Sequence, residues 1–311
     1  KRDEVIEVLN QNGFKFERVR WYKDAFILKN KSKRELTDLE IYKDGKIYIQ
    51  SLASMIPPLV LDPQPGEKVL DLTAAPGSKT SQIAALMQNT GELVANDNNK
   101  IRFFKLKHNM DHLVIPRSPQ TTRNLSEDKN IGTQNFDVMQ QMLASKDPSS
   151  RLDSVRDFLK LRLEYGSDLA REYPEYFDRV LLDAPCSAEA RFVESDPKTF
   201  GYWKEQKIKE MAYKQRQLLF AAWSALKPGG ILVYSTCTFA PEENELQISR
   251  FMEQNTNCEL LEIDLKDVKR LPIVKNWHNK EINKEVIKKT MRILPTKEIE
   301  AFFVAKLKKK L

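Results

Sequence analysis

From Pro57 onward, short apolar runs of strand length alternate with segments of helical periodicity. Five of these runs are predicted as strands, at residues 68–72, 92–97, 158–163, 177–183 and 231–235. Strands that alternate with helices pack into a parallel, doubly wound α/β sheet with helices on both faces. Ligands of such sheets bind at the carboxyl ends of the strands, so we expect the chemistry of the protein there.

The longest helical pattern covers residues 204–226, where apolar side chains recur at three- and four-residue spacing on one face. The sequence Lys227-Pro-Gly-Gly230 follows this pattern directly. Proline cannot continue a helix and glycine permits a reversal of the chain, so we expect the helix to end there.

The start of the chain shows a different pattern. An amphipathic stretch near the first residues precedes strand-like segments near residues 21–28 and 47–49. This mixture predicts a small α+β domain at residues 1–46, ahead of a main domain at residues 47–311.

Residues 114–157 break the alternation within the main domain. They are rich in Ser, Asp, Asn, Gln and Thr, and they are long for a connection in a compact domain. We predict a polar surface insertion there, with a short helix near residues 136–143.

The composition limits the classes of partner. Lys and Arg number 51 against 44 Asp and Glu, a net charge of +7 that favours a polyanionic partner such as a nucleic acid. No apolar run approaches the ~18 residues of a membrane-spanning helix, so no membrane partner is expected. Three cysteines and three histidines without a Cys-x-x-Cys pair argue against a disulfide framework and a metal site. With no signal-peptide pattern in the first residues, we expect a cytoplasmic protein.

The first predicted strand runs into the turn Asp71-Leu-Thr-Ala-Ala-Pro-Gly-Ser-Lys-Thr80. A phosphate-binding loop would need glycine at the positions of Thr73 and Ser78, and the dinucleotide pattern Gly-x-Gly-x-x-Gly is absent as well. Asp97 ends the second strand, where a carboxylate can accept both ribose hydroxyls of an adenosine ligand. Together these features indicate a nucleoside cofactor without phosphates, namely S-adenosylmethionine. Taken alone, Asp97 would serve equally as a helix cap.

Two of the cysteines follow predicted strands. Cys186 lies in Asp183-Ala-Pro-Cys-Ser187 and Cys237 lies in Ser235-Thr-Cys-Thr238, so both belong to the ligand-binding edge. Either residue alone would serve as a small buried hydrophobe. Together they suit methyl transfer to cytosine, whose carbon 5 becomes nucleophilic only after a thiolate adds at carbon 6. One cysteine must attack, and another group must help to release the product.

Four blocks follow one another along the chain. They are the turn at residues 71–80, the Pro-Cys block at 183–187, the Thr-Cys block with its Pro-Glu-Glu-Asn sequence at 235–244, and Phe302-Phe-Val-Ala-Lys306. In this order, between Tyr48 and Lys306, they resemble the motifs of the Nop/Sun family of RNA (cytosine-5) methyltransferases. The resemblance implies a Rossmann-like class I methyltransferase sheet, S-adenosylmethionine as cofactor and RNA as partner. In that family the cysteine of the Thr-Cys motif attacks, here Cys237, and the cysteine of the Pro-Cys motif assists release, here Cys186.

The resemblance also implies roles for individual positions. It places the cofactor against Thr73, Ala74, Ala75, Pro76, Gly77, Ser78, Lys79, Asp97, Arg102, Asp168 and Asp183. Asp183 would contact the amino edge of the cytosine. Lys79 would approach Cys237, where a cation favours the thiolate of a group whose ordinary pKa is about 8.5. Outside this motif, Lys79 would be a solvated lysine at a helix start and Asp183 a turn cap.

The chain departs from the family pattern at several places. Thr73 stands where many members have Cys, Ser78 stands where many have Gly, and Ala-Glu-Ala-Arg191 replaces the more usual Gly-x-Gly after Ser187. The insertion at residues 114–157 has no counterpart. These departures affect the shape of the base pocket and leave the expected chemistry unchanged.

Two questions stay open in the sequence. The Ser78 form, and the absence of an added RNA-binding domain after Leu311, favour ribosomal RNA over transfer RNA as substrate. A non-catalytic ribosome-assembly factor that keeps the fold is the alternative, and the presence of both cysteines and Asp183 argues against it. We expect a monomer in which residues 1–46 aid RNA binding. Basic clusters that could contact phosphates lie at residues 29–34, 204–216, 275–292 and 306–310, although each would also suit a solvated surface.

Overall fold

A computed structural model of the protein describes residues 2–113 and 157–311. The insertion predicted at residues 114–157, with its helix near residues 136–143, therefore lies outside the described residues except for its last position. Within the described ranges, no helix has the length and apolar character that a membrane crossing requires.

The N-terminal region consists of short elements around a small core of its own. They are α1 (Arg2–Gln11), β1 (Phe16–Arg18), β2 (Phe26–Leu28), α2 (Lys33–Thr37) and α3 (Glu40–Lys43). β1 and β2 pair antiparallel, and the buried side chains of Leu9, Phe14 and Leu36 pack together beside them. The region thus combines helices and strands, as its sequence pattern predicts.

Two details of this region differ from prediction. Of the strand expected at residues 21–28, only the last three residues form β2, because the residues before them make turn hydrogen bonds such as Ala25 N–H to the Tyr22 carbonyl. The strand expected at residues 47–49 is wrong. Both isoleucines of that segment pack against the small core, but no described strand lies beside them to form a ladder.

A nine-stranded mixed sheet forms the centre of the described main region. Its parallel strands are β3 (Lys68–Asp71), β4 (Glu92–Asn96), β5 (Leu159–Arg162), β6 (Phe177–Asp183) and β7 (Leu226–Thr236). The chain then adds β8 (Cys258–Leu261), β9 (Arg270–Leu271), a separate hairpin of β10 (Asn276–Trp277) and β11 (Lys280–Glu281), and finally β12 (Met291–Ile293) and β13 (Phe302–Lys309). The order across the sheet is β5-β4-β3-β6-β7-β13-β12-β9, with β8 also paired to β13. All five predicted strands are present, whereas the antiparallel half around β13 was not predicted.

Helices cover both faces of this sheet. They are α4 (Leu52–Leu61), α5 (Ser78–Leu86), α6 (Lys100–Leu113), α7 (Gly166–Glu172), α8 (Gln206–Ala225), α9 (Glu245–Gln254) and α10 (Lys284–Lys289). Successive residues of a strand point to opposite faces. Val69 of β3 accordingly packs with α4, α5 and α6, whereas Leu70 packs with α7, α8 and α9. The prediction of helices on both faces is confirmed.

The helix predicted at residues 204–226 is α8, which ends at Ala225. The helix thus ends just before Lys227-Pro-Gly-Gly230, as predicted. β7 begins at the next residue, but these four residues bulge out of register with β6, between the pairs Phe177–Leu226 and Arg179–Ile231, and Gly229 has a φ of +83°. A Cβ atom at Gly230 would lie 2.9 Å from the carbonyl oxygen of Asp178 in β6. The glycine therefore permits the close approach of two strands.

Candidate active site

The carboxyl ends of β6 and β7 carry two thiols at one edge of the sheet. The two strands are parallel neighbours, so the loops that follow them start side by side. Cys186 and Cys237 lie in these loops with their Sγ atoms 3.1 Å apart. The backbone N–H of Cys237 also donates to Cys186 Sγ over 3.3 Å. The structure thus brings together two residues that are 51 positions apart in the sequence.

The two thiols have opposite electrostatic environments. The hydrogen bond from Cys186 lowers the pKa of Cys237; burial opposes this shift, and the positive charges of Arg191 and Lys79 support it. The same hydrogen bond, together with burial, raises the pKa of Cys186 well above its ordinary value. Of the two thiols, Cys237 is therefore the one that ionises more readily.

Arg191 was not among the predicted site residues. It ends a short 3-10 helix at Glu189–Arg191, which approaches the thiol loop through a hydrogen bond from the Ala190 N–H to the Cys237 carbonyl over 3.3 Å. The negative charge of Cys237 raises the pKa of Arg191. The only sign of this contact in the sequence was that the segment departs from the family pattern.

Lys79 and Asp183 form a buried ion pair at the same edge. Lys79 Nζ lies 2.6 Å from Asp183 Oδ2, and only 9% of the lysine side chain is exposed. The ammonium group also donates to Ser54 Oγ over 2.9 Å, while Ser235 Oγ donates to Asp183 Oδ1 over 2.8 Å. Lys79 also lies 5.5 Å from the centre of the Phe302 ring. This lysine is therefore not a solvated residue of a helix start.

Asp97 holds the turn that follows β3. Its carboxylate is buried and accepts from the Ala75 N–H over 3.3 Å through Oδ2 and from the Asn99 N–H over 3.0 Å through Oδ1. Arg102 Nη2 lies 3.3 Å from Oδ2 and donates to the Ala75 carbonyl over 2.5 Å. Asp97 thus holds the turn ahead of α6 and reaches the predicted cofactor loop, whereas the cap of α6 comes from Asn99, whose Oδ1 accepts from the Arg102 N–H over 3.0 Å.

A cleft of about 880 Å³ opens beside this turn. Among the residues that line it are Leu72, Thr73, Asp97, Arg102, Tyr165 and Pro185. From Thr73 the loop continues through Ala74, Ala75, Pro76 and Gly77 to Ser78, where α5 begins. The volume of this cleft, the apolar side chains and backbone that line part of it, and the one buried carboxylate, Asp97, fit a nucleoside with a short polar tail. A larger groove of about 1120 Å³, between the N-terminal region and α5, contains none of the predicted site residues.

Gly77 explains why the loop can pass so close to α6. Its φ of +107° is strained for any residue with a side chain. A Cβ atom there would also lie 2.8 Å from Met110 Cε and 3.1 Å from Leu106 Cδ1. The glycine is thus required by backbone conformation and by packing, and it allows the main chain to approach the cleft.

Asp168 lies apart from these contacts. It occupies the first turn of α7, and its carboxylate accepts from the exposed side chain of Arg171. Its neighbours Gly166 and Ser167 line the cleft. The structure therefore brings the start of α7 to the cleft through these neighbours, with Asp168 itself half exposed beside it.

Asp71 is a buried acid that sequence reasoning did not single out. It ends β3, and Thr80 Oγ1 donates to its Oδ2 over 2.7 Å, whereas its Oδ1 has no hydrogen-bond partner among the described residues. Burial raises the pKa of Asp71 to about 7. Its position as the first residue of a motif gave no indication of this environment.

The Pro-Glu-Glu-Asn sequence after Cys237 leads into α9 and also anchors the thiol loop. Asn244 Oδ1 accepts from Thr236 Oγ1 over 2.5 Å, and its Nδ2 donates to the Thr238 carbonyl over 3.0 Å. Glu245 and Arg292 form a buried ion pair with contacts of 2.5 and 2.6 Å. Both residues that flank the thiol are thereby fixed by one asparagine.

No metal site emerges from the described part of the chain. Across residues 2–113 and 157–311, no group of three or more His, Cys, Asp and Glu side chains is arranged to hold an ion.

The sequence model of the family described as 16S rRNA methyltransferase RsmB/F matches residues 58–143 and 134–308. The chain belongs to this RsmB/F family. A transfer RNA (cytosine(49)-C(5))-methyltransferase from Pyrococcus abyssi is 34% identical over 306 residues, which cover 98% of the chain and 83% of that relative. Ribosomal RNA small subunit methyltransferase F from Shewanella loihica is 35% identical over 247 residues, covering 78% of the chain and 42% of that relative. The chain thus spans less than half the length of this ribosomal RNA relative.

Solved structures agree with the RsmB/F assignment. A methyltransferase homologue from Pyrococcus horikoshii superimposes with a TM-score of 0.73 at 30% identity, covering 100% of the chain and 83% of that structure. NSun6 from the same organism, solved with SFG, gives a TM-score of 0.60 at 28% identity over 88% of the chain and 56% of that structure. The predicted class I methyltransferase fold, the RNA cytosine-5 methyltransferase family and S-adenosylmethionine as cofactor are confirmed.

Proposed function

We propose that the protein transfers a methyl group from S-adenosylmethionine to carbon 5 of a cytosine in RNA through a covalent cysteine adduct, with Cys237 as nucleophile and Cys186 as release partner. The observation that carries this proposal is the pair of thiols 3.1 Å apart with opposite pKa shifts. Two cysteines that only filled space in a core would need neither this asymmetry nor cations beside one sulfur.

The proposed cycle begins when the Cys237 thiolate adds to carbon 6 and the electron pair of the 5,6 double bond moves to carbon 5. Carbon 5 would then use this electron pair to bond the methyl group, whose bond to the donor sulfur breaks with its electrons left on sulfur, and a base would remove the proton that carbon 5 carried. The electron pair of that C–H bond restores the double bond and expels Cys237 as a thiolate. Cys186 lies beside the leaving sulfur, and we assign it the assistance of this last step.

Lys79 and Asp183 would support the attack. The Asp183 carboxylate can accept from the exocyclic amino group of the cytosine while Lys79 and Ser235 fix its orientation. The positive charge of Lys79 also favours the Cys237 thiolate. One ion pair would thus orient the base and activate the nucleophile.

The cofactor would lie in the cleft beside β3 and β4. We assign Asp97 to the ribose hydroxyls, the loop from Thr73 to Ser78 to the remainder of the ligand, and Arg102 to the support of that loop. When bound, S-adenosylmethionine supplies an electrophilic methyl group on a sulfonium centre. The start of α7, including Asp168, would approach the adenine side.

Transfer RNA and ribosomal RNA are the two candidate substrates. The alignment with the transfer RNA enzyme takes in 98% of the chain, and therefore nearly all of the N-terminal region, whereas the alignment with the ribosomal RNA enzyme takes in 78%. This difference supports transfer RNA at least as strongly as Ser78 supports ribosomal RNA, so both belong in the assay. A role of residues 1–46 in RNA binding, a monomeric state and a cytoplasmic location stay predictions.

In the decisive experiment, the purified protein is incubated with labelled S-adenosylmethionine and with unmodified transfer RNA or 16S ribosomal RNA. The positions of 5-methylcytosine in the RNA are then mapped by sequencing. We expect Cys237→Ala to abolish methylation without an adduct. We expect Cys186→Ala to accumulate a protein–RNA species on a denaturing gel, because the bond forms but is not released. Cys258→Ala is the matched control, since this third cysteine lies in β8 and packs in the opposite layer of the core.

Three outcomes would contradict the proposal. A trapped species with Cys237→Ala and normal turnover with Cys186→Ala would reverse the two roles. Methylation that neither substitution alters would remove the adduct mechanism. RNA binding without methylation by the unmodified protein would instead favour the non-catalytic assembly factor.

A further inference from the structure

Glu243 is a fully buried acid beside the two thiol loops, and the proposed cycle does not use it. It lies in the turn between β7 and α9 and is fully shielded from solvent. Its carboxylate accepts from the Ser187 N–H over 3.2 Å and also from the Ser187 hydroxyl. Ser187 directly follows Cys186, so this carboxylate fixes the loop that carries the first thiol.

The same contact extends to the second thiol. The hydroxyls of Ser187 and Thr238 lie 3.0 Å apart, and Thr238 directly follows Cys237. A single serine therefore links the Glu243 carboxylate to both cysteine loops. A shift of this carboxylate would act directly on Ser187 and, through the 3.0 Å contact, on Thr238, which Asn244 and Glu189 also hold.

Two further hydrogen bonds fix Glu243 itself. Gln215 of α8 donates through Nε2 to the Glu243 carboxylate over 2.6 Å and to the Pro185 carbonyl over 2.9 Å. The Tyr234 hydroxyl of β7 donates to the Glu243 carbonyl over 2.6 Å. Pro185 and Ser187 flank Cys186, so both neighbours of that thiol are held by the same Gln215–Glu243 pair.

The chemistry of these partners is unusual for a buried acid. Glu245, two residues further on, is neutralised by Arg292, whereas the donors to the Glu243 carboxylate are uncharged. Burial consequently raises the pKa of Glu243 to about 7. The other titratable groups that it influences, or that influence it, are Glu189, Cys186 and Tyr234. An apolar residue would hold a turn without the cost of burying a carboxylate.

We propose that Glu243 is a positioning residue that sets the distance between the two thiols through Ser187 and Thr238. This inference rests on the proposed function only in its catalytic consequence, because the thiol distance can be measured without any RNA. A reacting group misplaced by about 1 Å can lose about 100-fold in rate, so the hydrogen bonds of one carboxylate would decide whether both sulfurs reach the same base.

The charge state of Glu243 makes this positioning of the two thiols dependent on pH. Above about 7 the carboxylate accepts from Ser187 and Gln215, and its charge also helps to keep the proton on Cys186. Below that value the carboxyl group is neutral, so the hydrogen bonds that it accepts from the Ser187 N–H and from Gln215 lose their charge assistance and weaken. We therefore expect the arrangement to loosen as the pH falls through 7.

The test compares Glu243→Ala and Glu243→Gln with Glu242→Gln. Glu242 is the matched control because it is the adjacent residue and accepts from the indole of Trp277 instead, over 2.7 Å. The first readout is the rate of disulfide formation between Cys186 and Cys237 with diamide, which takes up two electrons and two protons as the S–S bond forms. The second is kcat and KM for methylation, measured between pH 6 and pH 9.

We expect Glu243→Ala to slow disulfide formation at least about 10-fold and to lower kcat about 100-fold, with KM for RNA and cofactor within about threefold. Glu243→Gln should lose about 10-fold in kcat. Because an amide does not titrate, its plot of kcat against pH should also lack the fall at low pH that Glu243 contributes. Glu242→Gln should stay within about threefold in both readouts. If Glu243→Ala does not fold, the same measurements on Glu243→Gln and Ser187→Ala test the positioning role of Glu243.

Unchanged disulfide rates in folded Glu243→Gln and Ser187→Ala would overturn the proposal, whatever the methylation data. If the unmodified protein methylates no RNA, the proposed function fails, and the disulfide rates then decide the positioning role alone. Slower disulfide formation with a normal kcat would likewise overturn the proposed consequence for catalysis.

Discussion

Two pairs of loops leave the same edge of the sheet and are built differently. The loops after β6 and β7 are tied together by side-chain hydrogen bonds and a thiol contact of 3.1 Å. The loops after β3 and β4 are joined mainly by Asp97 and Arg102, and they border an open cleft of about 880 Å³. The thiol side is thus assembled before any ligand arrives, whereas the cofactor side offers space and a few fixed polar groups.

The largest effect should come from the residue that joins the two sides. Lys79 starts from the cofactor loop, yet its ammonium group pairs with Asp183 beside the thiols. We expect Lys79→Met to lower kcat by about 10² to 10³, the range found when a preorganised electrostatic group is lost. Loss of the cation should also raise the pKa of Cys237 and shift the pH profile of its alkylation by iodoacetamide upward.

Lys160→Met is the control for this substitution, since Lys160 pairs with Glu92 on the outer strands of the same sheet. It should leave both kcat and the alkylation profile within about threefold of the unmodified protein. An unchanged alkylation profile in folded Lys79→Met would mean that the two sides are not electrostatically linked.

A smaller effect is expected where only cofactor affinity is concerned. Asp97→Asn removes a charge that orders the turn and would accept the ribose hydroxyls. The loss of a charged hydrogen bond corresponds to about 2 kcal/mol, or about 30-fold in Kd for S-adenosylmethionine by calorimetry. Asp168→Asn should cost less, because its carboxylate pairs with Arg171 on an exposed turn. A larger loss with Asp168→Asn would reverse this ranking.

The smallest effect concerns stability. In the folded chain the pKa of Asp71 is raised from 3.8 to about 7 by burial. Between these values the folded state keeps a proton that the unfolded state has lost, so stability is full below about pH 4 and declines as the pH rises through 7. Asp71→Asn should remove this decline, so that its stability relative to the unmodified protein is higher at pH 8 than at pH 4. Urea unfolding at both pH values measures it, with exposed Glu253→Gln as control; an equal decline in Asp71→Asn would contradict the assignment.

The sequence allowed prediction of the parts of this edge that depend on local pattern. Long buried strands produce continuous apolar runs, so the five parallel strands and the loops after them were found. Because the ligand-binding edge lies at the carboxyl ends of parallel strands, Cys186 and Cys237 were both placed at this edge, whereas the pairing of β6 with β7 that brings them into contact came from the structure. The small-residue turn and Asp97 similarly indicated the cofactor without any contact being known.

The remaining features depend on contacts between distant parts of the chain. β9 and β12 have only two and three residues, too few for a recognisable period. Ile47 and Ile49 alternate like a strand, but the alternation reflects packing against the small core. The hydrogen bonds of Glu243 join residues up to 56 positions apart, and nothing at position 243 itself distinguishes it from Glu242.

The position of β13 has a consequence for the biosynthesis of the protein. This last strand lies between β7 and β12, and its first residue, Phe302, contacts Lys79 at the site. A growing chain on the ribosome therefore leaves one edge of β7 unpaired until residues 302–309 emerge, and such edges are prone to associate with other strands. Contacts between residues so far apart also close slowly during folding. The edge of the sheet that carries the two thiols should therefore be complete only once β13 has emerged from the ribosome.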